Sequence, residues 1–112
     1  MNSVCTLTIG AMLLLPLGTA AAPQDKVERG KTVFTEQKCT LCHSIAGKGK
    51  KTGPLDEVGS KLSAAEIRQW ITDPVGMAAK TQSKKKPPMK KKALSPDDVD
   101  ALVALISSLK KS

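Results

Sequence analysis

Cys39-Thr40-Leu41-Cys42-His43 is the stretch that decides how this chain folds. Two thiols separated by two residues and followed at once by an imidazole form the pattern for covalent attachment of a c-type haem. At this spacing the thiols reach two vinyl groups on one edge of a porphyrin and form thioethers. The next residue then lies under the ring, where its imidazole binds iron from one face. One short segment therefore supplies the anchor of a cofactor and one axial ligand. Competing uses fit less well. The chain has three cysteines and one histidine, with Cys5 in an apolar N-terminal run. A closed four-ligand zinc site would thus need a carboxylate or a second chain. A redox dithiol expects a strand–helix–strand context that the pattern lacks. A plain disulfide between Cys39 and Cys42 is the simplest remaining alternative.

Before the motif, Val4 to Leu17 is mostly apolar and Gly18-Thr19-Ala20-Ala21-Ala22 is built of small residues. Residues 1–22 read as a secretory signal with cleavage near Ala20 to Ala22. Pro23 disfavours a cut directly after Ala22. Met1, Asn2 and Ser3 carry no Lys or Arg, which is atypical, and the apolar run is short for a membrane span. An uncleaved N-terminal tether is the alternative. Residues 23–112 then form one domain with two aromatics, Phe34 and Trp70, and the whole formal charge of +8. Such a small chain has a thin core and needs a staple, which a covalently held haem would provide.

The rest of the chain reads as helices joined by long loops. Asp25 to about Lys38 is the first helix, opened by a capping box at Asp25-Lys26-Val27-Glu28. Val27, Gly30, Val33 and Phe34 share one of its faces. Gly30 there costs about 1 kcal/mol relative to Ala, a cost with a reason if another helix comes close. Ser44 to Gly59 reads as loop, punctuated by Gly47, Gly49, Gly53 and Pro54. Ser63-Ala64-Ala65-Glu66 is a second capping box, with Ile67, Trp70 and Ile71 on one face and an end at Asp73-Pro74. Residues 75–94 read as irregular. Ser95 caps a last helix with Pro96 at its first position, Asp97 and Asp98 at its positive end, and Val99, Leu102, Val103, Ile106 and Leu109 as buried face. The expected fold is all-α, about three to four helices with long loops wrapped around one covalently bound haem.

A single histidine excludes ligation by two histidines within a monomer, so methionine is the expected sixth ligand. Met89 follows the rigid pair Pro87-Pro88 and precedes the last helix; Met77 follows the break at Pro74. Met89 is the favoured ligand, and a five-coordinate iron with an open site is the alternative.

With these residues in hand, the chain resembles a class I bacterial cytochrome c over residues 25–111. The resemblance rests on Cys39-Thr40-Leu41-Cys42-His43, on Gly30 and Phe34 of the first helix, on Gly53-Pro54-Leu55, and on Pro87-Pro88-Met89 before the final helix. It implies packing of Gly30 and Phe34 against the last helix. There the family's Leu-x-x-Tyr pattern is represented by Leu102 and Leu105, without the aromatic. It also implies that the Pro54 carbonyl accepts a hydrogen bond from the second ring nitrogen of His43, and that Trp70 lies beside the haem. The implied site is haem c, joined through Cys39 and Cys42 and ligated by His43 and Met89, with Pro54 and Trp70 around it. Export agrees with the class, since bacterial haem attachment occurs outside the cytoplasmic membrane.

Lys80, Lys84, Lys85, Lys86, Lys90, Lys91 and Lys92 bracket Met89 with no acid between them. Such a collar would steer an acidic redox partner into a brief encounter. A solvated loop is the plainer reading, and weak contact with anionic lipid headgroups competes. Nucleic acid is not expected, because no aromatics interleave with the lysines. No nucleophile–base pair is visible; Ser44, Ser60 and Ser63 have no free histidine to serve them. The expectation is a monomeric periplasmic electron-transfer protein and not an enzyme. The alternatives are a haem catalyst or gas sensor with an open site, and a haem subunit of a larger oxidoreductase.

Overall fold

The computed structural model describes residues 23–112; the expected signal and its cleavage site lie outside the described residues. Helix α1 (Pro23–Glu36) is followed by a 3-10 turn (Cys39–Leu41), a two-strand hairpin of β1 (Ser44–Ile45) and β2 (Lys48–Gly49), and helices α2 (Val58–Lys61), α3 (Ala64–Thr72), α4 (Pro74–Lys80) and α5 (Pro96–Ser108). Among the described residues the fold is all-α apart from the hairpin, with five α-helical segments where three to four were expected.

The main contact is α1 against α5. Gly30 makes it possible: a Cβ placed there would meet the Ala101 carbonyl oxygen and stand 2.7 Å from Leu105 Cβ. The core is Val33, Phe34, Ile67, Ile71, Val99, Leu102, Val103, Leu105 and Ile106, with Leu105 and Val33 among its most enclosed side chains. Burial of such side chains stabilises by about 1.5–3 kcal/mol each. Two ion pairs tie the helices at their rims, Arg29 to Asp98 at 2.9 Å and Arg68 to Asp100 at 2.6 Å. Both are partly exposed, so each contributes at most about 1 kcal/mol. Helix α2 closes the far end of α5. Gly59 N–H donates to the Leu109 carbonyl at 2.8 Å, and Lys110 Nζ donates to the Gly59 carbonyl at 2.7 Å.

Three sequence expectations change. Helix α1 begins at Pro23, so Asp25 lies in its first turn rather than capping it; there its charge suits the helix dipole. The segment from Ser44 to Gly59 is more than loop. Ala46 and Gly47 both adopt left-handed backbone (φ 51° and 78°), the two-residue turn that matches the twist of a hairpin. The stretch after Pro74 is helical as far as Lys80. The Asp73-Pro74 pair that stops α3 also starts α4, because Asp73 Oδ1 accepts from Gly76 N–H at 3.0 Å and Pro74 occupies the first helical position. The Ser63 box is as expected: Ser63 Oγ accepts from Glu66 N–H at 3.2 Å, and Glu66 Oε1 accepts from Ser63 N–H at 3.1 Å. Ser95 Oγ likewise caps α5, accepting from Asp98 N–H at 3.2 Å.

Candidate functional site

The motif is wound by local bonds. Lys38 turns left-handed (φ 56°) at the end of α1 and redirects the chain. Leu41 N–H then donates to the Lys38 carbonyl at 3.1 Å, and Cys42 and His43 N–H both donate to the Cys39 carbonyl, at 3.1 and 2.9 Å. Cys39 to His43 thus makes about one helical turn. Neither Cys39 nor Cys42 is in a disulfide; Cys39 is half-buried and Cys42 exposed. Burial pushes the Cys39 thiol above its ordinary range, and the Lys92 ammonium pulls it partly back.

His43 is held by its second nitrogen. Its Nδ1 lies 3.2 Å from the Gly53 carbonyl oxygen. A carbonyl only accepts, so Nδ1 is the donor in this contact and Nε2 is the ring nitrogen left to face a metal. The acceptor expected was the Pro54 carbonyl; here it is one residue earlier. The register explains the difference. Ser44 pairs with Pro54 as a parallel bridge, in which Ser44 N–H donates to the Gly53 carbonyl at 3.0 Å and Leu55 N–H donates to the Ser44 carbonyl at 2.9 Å. That places the Gly53 oxygen, not the Pro54 oxygen, beside the motif. Gly53 approaches so closely that a Cβ would meet the Cys42 carbonyl and stand 3.3 Å from His43 Nδ1. Gly49 does the same on the other flank, against the His43 carbonyl. Lys50 N–H, next to it, donates to the carbonyls of Thr40 (3.0 Å) and His43 (3.2 Å). In the sequence these glycines read only as loop punctuation. Their roles as acceptor and clamp depend on the register between the two segments, which local spacing does not show.

The other expected site residues are placed as follows. Pro54 is exposed and partners Ser44 in the bridge. Trp70 is half-buried on α3 and stands outside the apolar cluster that holds its neighbours Ile67 and Ile71. Met89 is 38% exposed on the irregular segment before α5, whereas Met77 is 5% exposed within α4. All seven lysines of the collar are exposed, and none joins the ion pairs found among the described residues. A cleft of about 330 Å³ is lined by Ile71, Leu94, Val99 and Pro96 with Arg68, Thr72, Lys91 and Lys92. None of the three motif side chains lines it. Among the described residues no helix is long and apolar enough to cross a membrane.

This donor set suits a c-type haem: two free thiols at attachment spacing and an adjacent imidazole whose Nδ1 is already committed to the Gly53 carbonyl. Comparison with known proteins agrees. The family model described as Cytochrome c matches residues 27–110. The chain is also similar to cytochrome c oxidase subunit 2 of Alkalihalophilus pseudofirmus, 30% identical over 106 residues that take in 83% of this chain. It spans 30% of that relative's length. No solved structure matches the chain.

Proposed function

Since this chain belongs to the cytochrome c family, whose members bear haem and transfer electrons, we propose that it is an exported, periplasmic one-electron carrier and not an enzyme. Cys39 and Cys42 hold one haem c, and His43 and Met89 are its axial ligands. When bound, the haem supplies a one-electron couple at its iron. The chain's own residues do the rest. The Gly53 carbonyl fixes the proton of His43 on Nδ1 and so aims Nε2 outward. Met89, on an exposed segment stiffened by Pro87-Pro88, offers a soft sulfur as second ligand, while Met77 is committed to packing. Trp70, half-buried outside the core, is free to cover the cofactor. With His43 and Met89 both holding the iron, a bound haem would have no vacancy for a substrate, and it would supply a one-electron change with little rearrangement of the chain.

The observation that carries this reading is the His43 Nδ1 contact with Gly53 O at 3.2 Å, beside two free thiols. The test is an optical spectrum of the purified protein, oxidised and reduced. A weak far-red band of sulfur-ligated ferric haem, lost in Met89→Ala and kept in Met77→Ala, is expected. A high-spin spectrum with free binding of cyanide or carbon monoxide would instead favour a catalyst or sensor with an open iron.

The lysines from Lys80 to Lys92 serve an acidic redox partner in this reading, with anionic lipid as the competing surface. The match to part of an oxidase subunit favours a second reading, in which the chain works as the haem-bearing component of a larger oxidase. Stable co-purification with membrane subunits would support it; a monomer in the periplasmic fraction supports the free carrier.

A further inference from the structure

We propose that Asp56 is a positioning residue for His43, acting through the Gly53 carbonyl; the proposal rests on His43 being an iron ligand. The segment leaving the motif, residues 43–46, runs beside residues 53–56. Two backbone bonds join them: Ser44 N–H to the Gly53 carbonyl at 3.0 Å, and Leu55 N–H to the Ser44 carbonyl at 2.9 Å. In a parallel ladder the next donor is Ala46 N–H and its natural acceptor is the Leu55 carbonyl. The backbone cannot complete that rung, because Ala46 turns left-handed (φ 51°) to open the hairpin. The Asp56 side chain completes it instead, its Oδ1 accepting from Ala46 N–H at 2.6 Å. A carboxylate acceptor makes this a short, charge-assisted bond, stronger than a neutral one. Asp56 therefore supplies the third rung of the two-segment clamp and pins it where the hairpin would otherwise pull it apart.

The position of that clamp decides the environment of His43. The Gly53 oxygen serves two donors, Ser44 N–H and His43 Nδ1–H. Ser44 is 2% exposed, whereas Pro54 and Asp56 are exposed, so the 53–56 segment is the less enclosed side of the clamp. At 3.2 Å the His43 contact is already at the long end of the N–H···O range, so it has little room to lengthen and remain a hydrogen bond. Loosening the Asp56 rung lets Gly53 drift from the ring. The imidazole then loses the acceptor that raises its basicity, and with it part of its preference for ferric over ferrous iron.

The test uses the haem-bearing protein in wild type, Asp56→Ala and Asp56→Asn. Two quantities are read: the midpoint potential, and the exchange rate of the His43 Nδ1–H proton by NMR in the reduced state. Asp56→Ala is expected to raise the potential and to speed exchange roughly tenfold. Asp56→Asn keeps a weaker, neutral oxygen acceptor at the same place and is expected to lie closer to wild type than to Asp56→Ala in both. Wild-type behaviour of Asp56→Ala overturns the proposal. So does an Asp56→Asn shift as large as that of Asp56→Ala, which would assign the effect to charge alone. If Asp56→Ala does not mature, Asp56→Glu takes its place, since it keeps the charge and displaces the oxygen. A larger shift in Asp56→Glu than in Asp56→Asn supports positioning, and the reverse overturns it. A wild-type spectrum without imidazole ligation would overturn the ligand assignment itself, and the proposal with it.

Discussion

Gly30 and Leu105 are in backbone-to-side-chain contact: any Cβ on Gly30 would lie 2.7 Å from Leu105 Cβ. Gly30→Ala gains about 1 kcal/mol of helix propensity and loses about 1–3 kcal/mol to overpacking. With the Ala101 backbone also in the way, overpacking wins. Net destabilisation of up to about 2 kcal/mol is expected in denaturant titration of the holoprotein, and clearly more for Gly30→Val. An unchanged midpoint for Gly30→Ala would mean that α1 and α5 part more easily than their packing implies.

The two methionines should separate by readout. Met77 is 5% exposed, so Met77→Ala is expected to cost about 2–5 kcal/mol with the far-red band intact. Met89→Ala should abolish the band. Thermal melts paired with spectra of the same samples check both, and a band lost in Met77→Ala would reassign the ligand.

The lysine collar should act on encounter and not on folding. Lys84→Glu, Lys85→Glu and Lys86→Glu together leave the fold within about 0.5 kcal/mol per site, as surface changes do. Electron-transfer rates with an acidic partner at low salt are expected to fall by about tenfold or more, and their salt dependence to flatten. Stopped-flow kinetics across ionic strength would show this. A rate indifferent to the reversal would leave the collar as a solvated loop.

At the start of α3, hydrogen bonds from the Ser63 backbone and side chain hold the Glu66 carboxyl below its usual range. A depressed carboxyl stabilises the fold above its unfolded value, near pH 4.3, and loses that contribution as pH falls through the lower folded value. Fraying of α3 is therefore expected only on acidification below about pH 4. Ser63→Ala should cost about 1 kcal/mol at neutral pH and reduce this acid sensitivity only in part, because the Ser63 backbone N–H still donates to the Glu66 carboxyl. Circular dichroism of both proteins from neutral pH downward is the check.

Much of the architecture was legible because it is periodic or capped. The apolar spacing of α1, the Ser63 box and the Ser95-Pro96 start of α5 each have a local physical cause. The face of α5 was harder. Ala101, Leu102, Val103, Leu105 and Ile106 are all buried, a stripe too wide for the apolar spacing alone to single out the Ala101 and Leu105 edge that meets Gly30. Helix α4 was hidden because a proline was read as an ending and not also as a beginning. In the site, Cys39, Cys42 and His43 announce themselves by chemistry. Gly53 and Asp56 do not, because their roles arise from a register between two segments ten residues apart, which no local pattern encodes.

The pairing of α1 with α5 also makes the core a long-range closure. The two helices meet across the whole stretch that carries the motif, the hairpin and the lysine segment, and closing a loop of that length costs entropy that only the finished contact offsets. Until they close, the core against which Cys39 packs does not exist, and the burial that distinguishes Cys39 from the exposed Cys42 is absent. Both sulfurs are then equally reachable, so closure of the core, as much as spacing within the motif, governs access to the attachment point.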